Sequence, residues 1–62
     1  MRKTYKITYL KHGGQGHSTA IVEAYSRFEA EMRLSKDITG NIRANTPAEA
    51  NIAIINVEEL KF

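Results

Sequence analysis

The chain has 62 residues, a formal net charge of +2 and no cysteine. This length predicts one domain spanning residues 1–62. The lack of cysteine excludes a disulfide framework and a thiolate metal site. No apolar run is long enough for a transmembrane helix, and we expect a cytoplasmic protein.

Two β-prone runs near the N-terminus predict a hairpin. Large apolar and polar residues alternate over residues 5–10, and a second run covers residues 18–24. The glycine-rich segment Gly13–Gly16 lies between them, and glycine tolerates the positive φ angles with which a chain reverses. We therefore expect His12 to lie opposite His17.

That pairing predicts the register of the whole hairpin and its two faces. On one face, Tyr5 would pair with Ala24, Ile7 with Val22 and Tyr9 with Ala20. On the other face, Lys6 would pair with Glu23, Thr8 with Ile21 and Leu10 with Thr19. Small residues then oppose large ones on the first face. We expect that face to be the core.

A capping box predicts the start of a helix, because Ser26 and Glu29 can each accept a backbone hydrogen bond at its first turn. The helix should run from Arg27 to about Asp37 and stop at Gly40. Its apolar residues form two sets: the expected core stripe is Ala30, Leu34 and Ile38, and Phe28 and Met32 form a second pair on one side. This second pair either widens the core contact or stays partly exposed.

A second capping signal precedes the last strand. Thr46 is a candidate N-cap, Pro47 occupies the first helical position, and Glu49 is the capping-box partner. These signals predict a short helical turn through about Asn51. The third strand follows over residues 52–58. Strict alternation assigns its residues to two faces, with Ala53, Ile55 and Val57 in the core and Ile52, Ile54 and Asn56 on the other side.

The element order β-β-α-β predicts an α+β fold. A right-handed crossover from the second strand through the helix places the third strand beside the first. The sheet is then antiparallel and three-stranded, in the order 2-1-3. One main helix packs on one face, and the short helical turn precedes the last strand.

The sheet face opposite the helix is the predicted partner-binding surface. Most of its members are apolar, and clustered exposed apolar residues mark interaction sites. The candidate contact residues are Leu10, Thr19, Ile21, Ile52 and Ile54. We expect the partner to be another protein or a second copy of the chain in a homodimer.

An alternative function is nucleic-acid binding through the basic N-terminal strand. Residues 1–17 contain four cations and no acid, and such a patch can contact phosphates. The four residues are Arg2, Lys3, Lys6 and Lys11. Tyr5 and Tyr9 could stack on bases only if the helix covered the opposite face of the sheet.

No constellation of residues predicts catalysis. Two histidines, His12 and His17, are too few for a stable metal site, and no nucleophile, base and oxyanion hole occur together. The tripeptide at residues 13–15 resembles the catalytic tripeptide of peptide release factors, but the flanking residues differ and we interpret it as a turn. We expect no enzyme activity, no cofactor and no metal.

Two stretches of the chain resemble very small phage and mobile-element accessory proteins. They are residues 22–26, which lead into the capped helix, and the closing run over residues 55–59. Members include the small RNA-polymerase inhibitor of short-tailed coliphages and compact anti-defence proteins. The resemblance implies a small module that inhibits a host enzyme or defence complex, such as RNA polymerase or a CRISPR effector, by occupying its surface. It assigns no residue roles.

Overall fold

The computed structural model describes residues 2–14, 16–40 and 43–61. The three strands form one antiparallel sheet in the order β2-β1-β3, so β1 is central and the other two are edge strands. The predicted α+β fold and strand order are confirmed. In chain order the elements are β1 (Lys3–Lys11), β2 (Ser18–Ala24), α1 (Arg27–Thr39), a 3-10 turn (Ala48–Ala50) and β3 (Ile52–Leu60).

The core lies between one face of the sheet and α1, which packs most closely on β2. The expected core face of the hairpin is confirmed, and Ile7 at its centre is fully buried. The buried members of the cluster are Tyr5, Ile7, Tyr9, Ala24, Ala30, Leu34, Ala50 and Ile52, with Ala20, Val22, Ile38, Ile54 and Val57 packed against them.

The ends of α1 follow the sequence signals. The Glu29 N–H donates to the Ser26 hydroxyl at 3.1 Å, and the Glu29 carboxylate accepts from the Tyr25 N–H at 3.0 Å rather than from Ser26. Gly40 ends the helix with a φ of 67°, and its N–H donates to the Lys36 carbonyl at 2.8 Å. The capped helix is therefore confirmed, with one change of capping partner.

The second apolar pair of α1 does not widen the core contact as a unit. Ala30 and Leu34 are buried and Ile38 is partly buried, which confirms the core stripe. Phe28 is 72% exposed, and Met32 is half-buried. The helix is thus packed on one side and open to solvent at Phe28.

The hairpin register differs from the predicted one by two residues. Tyr5 pairs with Val22, and Ile7 pairs with Ala20. Because side chains alternate with a period of two along a strand, a two-residue slip leaves every side chain on its predicted face. The prediction was wrong about partners and right about faces.

The loop explains this slip. The pairing of β1 with β2 ends at Tyr9 and Ser18, and the last residues of β1 pair with β3 instead. His12 donates its backbone N–H to the Asn51 carbonyl at 3.0 Å. His12 and His17 are therefore not cross-strand partners, and their predicted pairing was wrong.

Glycines reverse the chain in this loop, as predicted. Gly13 and Gly16 each have a φ of 79°, a conformation that glycine adopts without the steric cost of a Cβ atom. The Gly14 N–H donates to the Lys11 carbonyl at 3.1 Å and closes the first turn. Gln15 lies outside the described residues.

A β-bulge interrupts the pairing of β1 with β3. Thr8 lies opposite Asn56, but the next residue, Tyr9, lies opposite Ile54. Ile55 is therefore an extra residue in β3. An extra residue reverses the alternation of faces on one side of the bulge.

The bulge overturns the predicted faces of the third strand. Ile52 is only 3% exposed and Ile54 packs against the core, so neither belongs to the open side of the sheet. Ala53 is exposed and Ile55 is 51% exposed, although both were predicted for the core. Val57 and Asn56, beyond the bulge, lie on the faces that alternation predicted, with Val57 packed against the core and Asn56 on the other side of the sheet.

The predicted turn before β3 is a 3-10 helix, but Pro47 rather than Thr46 is its N-cap residue, and the Glu49 carboxylate accepts from the Asn45 N–H rather than from the Thr46 N–H. The Glu49 N–H donates to the Thr46 hydroxyl at 3.3 Å, and the Glu49 carboxylate accepts the Asn45 N–H at 3.3 Å. Asn51 follows with a φ of 56° and leads into β3. Among the described residues, no helix has the length and apolar character needed to cross a membrane.

Candidate functional site

The predicted partner-binding surface is divided by the fold. Ile21 is 60% exposed, Thr19 is exposed and Leu10 is half-buried, and these three lie on the sheet face away from α1. Ile52 and Ile54 lie in the core, on the other side of the sheet. The structure thus brings three of the five predicted residues to one face and removes the two others.

The open face is the sheet surface away from α1, assigned from the strand registers. Its central row consists of two threonines and an asparagine, and a lysine lies opposite a glutamate in the next row. Its apolar members are few, and Ile21 is the most exposed of them. The members are Thr4, Lys6, Thr8, Leu10, Thr19, Ile21, Glu23, Ala53, Asn56, Glu58 and Leu60.

A groove of about 400 Å³ lies beside Ile21, between β2 and α1. We call it the β2 groove. It is lined by residues 21–23 of β2, by three residues of the second half of α1 and by Arg2. Its lining residues are Arg2, Ile21, Val22, Glu23, Arg33, Lys36 and Asp37.

The β2 side of the groove belongs to an edge strand of the sheet. Within the described ranges β2 pairs with β1 alone, so its outer edge has no strand partner. Such an edge presents backbone N–H and C=O groups that can pair with another extended chain. The groove therefore combines a concave shape with directional hydrogen-bonding groups.

Three cations and two acids line the groove. Arg33 is oriented by Glu29, since its Nε lies 3.2 Å from the Glu29 Oε1. None of the ion pairs that join described residues involves Arg2 or Lys36. The α1 side of the groove thus has an excess of positive charge, with Asp37 as its acid.

Contacts between the start of β1 and the start of α1 hold one end of the groove. The Arg2 guanidinium lies 5.8 Å from the centre of the Tyr25 ring, within the range of a cation–π contact. The Tyr25 N–H hydrogen bond, followed by Arg33 and then Arg2, lowers the pKa of Glu29. The lowered pKa favours the carboxylate form of Glu29, which accepts from the Arg33 side chain beside the groove.

The predicted nucleic-acid-binding residues do not form one patch. Lys3 lies 3.6 Å from Glu59, and Lys6 lies on the open face opposite Glu58. Lys11 lies at the far end of β1, opposite Ile52. Of the four cations, Arg2 alone lines the groove.

The two tyrosines considered as base-stacking residues cannot take that role, because they are buried. Tyr5 and Tyr9 are both buried beneath α1. Stacking on a base needs an exposed ring face. The exposed tyrosine is Tyr25, which the sequence analysis did not select.

Arg33 and Lys36 were not among the site residues predicted from the sequence. Their spacing of three residues places them on one flank of a helix, and the predicted sheet order already made the second strand an edge. Those two signals together could have identified the groove. Phe28, about 140° from Arg33 around the helix axis at ~100° per residue, lies away from it.

Metal chemistry has no support in the described part of the chain. It contains no group of three or more histidine, cysteine, aspartate or glutamate side chains that could hold a metal ion. His12 and His17 lie in the loop between β1 and β2 and are both exposed.

Comparison of the chain with protein-family models, with curated proteins and with solved structures finds no match.

Proposed function

We propose that this chain is a small non-enzymatic protein-binding module that docks its partner at the β2 groove and the adjoining part of the open face. The observation that carries the proposal is the groove itself, a concavity of about 400 Å³ bordered by β2, whose outer edge has no strand partner among the described residues. Ile21 at its rim supplies exposed apolar area, which favours association by burial.

The proposed module acts by occupying a surface of its partner. The resemblance to small phage accessory proteins supports an inhibitor of a host enzyme or defence complex, such as RNA polymerase or a CRISPR effector. The groove suits this role because it needs only a segment of the partner to engage β2, while the rest of the chain blocks access sterically. A homodimer through the same edge is the self-association form of this proposal.

A second candidate is nucleic-acid binding at the same end of the molecule. Arg2 lies over the exposed ring of Tyr25, and the guanidinium groups of Arg2 and Arg33 both lie near Glu29. Exposed aromatic rings and arginines can hold a single strand by stacking and phosphate contacts. Such binding falls steeply with added salt, whereas burial of apolar area responds weakly.

Affinity capture from bacterial lysate tests the two functions against each other. The bait is the purified chain, used at low and high salt and with or without nuclease, in three forms: wild type, Ile21→Asp and Ile55→Asp. The last is a matched control, because Ile55 is similarly exposed but lies at the opposite edge of the sheet. Circular dichroism establishes that all three forms are folded.

We expect a stoichiometric protein partner that survives salt and nuclease and is captured by wild type and Ile55→Asp, but not by Ile21→Asp. Capture that disappears with nuclease or salt would favour nucleic-acid binding instead. Capture that is equal for all three forms would place the docking surface away from the β2 groove and reject the proposed site.

A further inference from the structure

We infer that the partner presents an extended segment with alternating acidic and apolar side chains, which adds to β2 as a fourth strand of the sheet. This inference rests on the proposed function and specifies the chemistry of the partner. It follows from three features of the β2 groove: the free backbone edge, the charge of the α1 side and the exposed isoleucine on the opposite side.

The backbone edge determines the conformation of the segment. A chain that satisfies the outward N–H and C=O groups of an antiparallel edge must itself be extended, as in other cases of β-strand addition. β2 spans Ser18–Ala24, which is long enough for a segment of about six residues at 3.3 Å per residue. A helix cannot satisfy the same groups, because its own N–H and C=O groups are paired within it.

The two sides of the edge determine the side chains of the segment. Side chains of an added strand alternate, so every second one faces α1 and the others face the open side of the sheet. The α1 side carries Arg33 and Lys36 against one acid, Asp37, and Arg2 also lines the groove. This side therefore has an excess of positive charge and suits carboxylates. The open side presents Ile21, which suits a β-branched apolar residue beside it.

The acid on the open side of the groove refines this pattern. Glu23 belongs to the open face, two residues from Ile21 along the same strand. A segment with acids on both of its faces would bring a carboxylate beside Glu23, and like charges on adjacent strands destabilise their pairing. Alternation of acidic and apolar residues avoids that repulsion and still places carboxylates beside the cations of α1.

A synthetic hexapeptide of alternating glutamate and valine tests the inference by titration into isotope-labelled protein. Amide chemical shifts report which residues it contacts. Three control ligands are a lysine–valine peptide of the same length, the glutamate–valine peptide N-methylated at every residue, and a single-stranded oligouridine. The N-methylated peptide keeps the charges but has no amide donors for strand pairing.

Two double variants provide the protein controls. Arg33→Gln with Lys36→Gln removes two cations from the groove. Arg27→Gln with Lys11→Gln removes the same charge elsewhere, since Arg27 pairs with Glu31 at 3.8 Å and neither residue lines the groove. Loss of two exposed charge contacts should lower the affinity for the glutamate–valine peptide by roughly tenfold in the first variant only.

We expect the acidic peptide to shift the amides of residues 18–24 and 33–37, and the lysine and N-methylated peptides to leave them unchanged. Equal binding of the lysine peptide would overturn the acidic assignment. Equal binding of the N-methylated peptide would overturn strand addition, and binding of oligouridine at the same amides would assign the groove to nucleic acid.

The lysate experiment separates this inference from the proposed function. If no peptide shifts the β2 amides but a protein partner is still lost with Ile21→Asp, the groove binds protein in another mode and this inference is wrong. If capture is insensitive to Ile21→Asp and the peptide does not bind, the proposed site is wrong as well.

Discussion

Isoleucine side chains lie on both sides of the sheet, and their exposure decides what each one contributes. Ile7 is fully buried at the centre of the core, whereas Ile21 is 60% exposed at the rim of the β2 groove. Burial of such a side chain stabilises a fold by about 1.5–3 kcal/mol. The same residue type therefore supports the fold at one position and is available for binding at the other.

Ile7→Ala should lower the free energy of unfolding by about 2–5 kcal/mol, because it leaves a cavity among packed side chains. Ile21→Ala is the matched control and should change the free energy by about 0.5 kcal/mol or less. Urea denaturation followed by circular dichroism measures both. Equal effects of the two substitutions would contradict the assignment of the core face.

Glu29 should make stability depend on pH in the acid range. Its pKa is lowered in the folded chain, chiefly by the Tyr25 N–H hydrogen bond and then by Arg33. Its contribution is therefore complete above the pKa of an unfolded glutamate and is lost as the pH falls through the lowered folded value. Glu29→Gln should be less stable than wild type at neutral pH, and the difference should shrink on acidification.

Thermal unfolding of wild type and Glu29→Gln across the acid range measures this effect. Glu31→Gln is a suitable control, because Glu31 pairs with Arg27 but does not cap the helix. If the difference in thermal stability between wild type and Glu29→Gln stays constant with pH, the charge of Glu29 is not what stabilises the start of the helix.

At the scale of elements, the bulge at Ile55 makes β3 compatible with the core. Without an extra residue, strict alternation starting from Val57 would direct Ile55 and Ala53 inward and leave Ile52 and Ile54 outside. The bulge exchanges these pairs, so two isoleucines rather than one isoleucine and one alanine face α1. The exchange increases the buried apolar area and reduces that of the open face.

Ile52→Ala should therefore cost about 2–5 kcal/mol in the free energy of unfolding. Ile55→Ala should cost about 0.5 kcal/mol or less. The pair keeps the residue type, the strand and the substitution constant, and it differs only in position relative to the bulge. Chemical denaturation of both variants checks it, and a larger loss for Ile55→Ala would mean that β3 alternates without a bulge.

The end of α1 depends on the left-handed conformation of Gly40. Its φ is 67°, and a Cβ atom there would meet no other atom within 4 Å. Gly40→Ala should therefore destabilise the chain by about 1–2 kcal/mol through backbone strain alone. Gly40→Asn should cost less, since asparagine tolerates this conformation better, and thermal denaturation of both variants makes the comparison.

For the whole molecule, the order β2-β1-β3 makes protection from hydrogen exchange uneven. β1 is paired on both sides over residues 4–9, so its amides there should be protected. β2 and β3 each have one free edge, so every second amide should exchange much faster. Amide exchange measured by NMR at low protein concentration tests this pattern.

The same measurement reports self-association. If raising the protein concentration protects the outward amides of β2, two copies pair through that edge and the groove is a homodimer interface. If it protects amides across the open face but leaves the edge of β2 unchanged, the copies associate face to face. Either pattern would be accompanied by a higher apparent mass in sedimentation.

Local signals in the sequence determined the elements of this protein and the faces of its hairpin. The cap at Ser26, the stop at Gly40 and the turn at Thr46 depend on contacts within about four residues, which adjacent residue types define. The alternation in β1 and β2 placed every side chain on its face despite a register error of two residues. These features, together with the connectivity rule for crossovers, were sufficient to predict the sheet order.

Only the tertiary structure decided the register, the bulge and the groove. The end of β1 pairs with β3 rather than with β2, and Ile55 is extra only in relation to Thr8 and Tyr9 on another strand. The β2 groove likewise joins Ile21 of β2, Lys36 of α1 and Arg2, the residue before β1. Such features depend on competition between distant segments for hydrogen bonds and core volume, which no local pattern encodes.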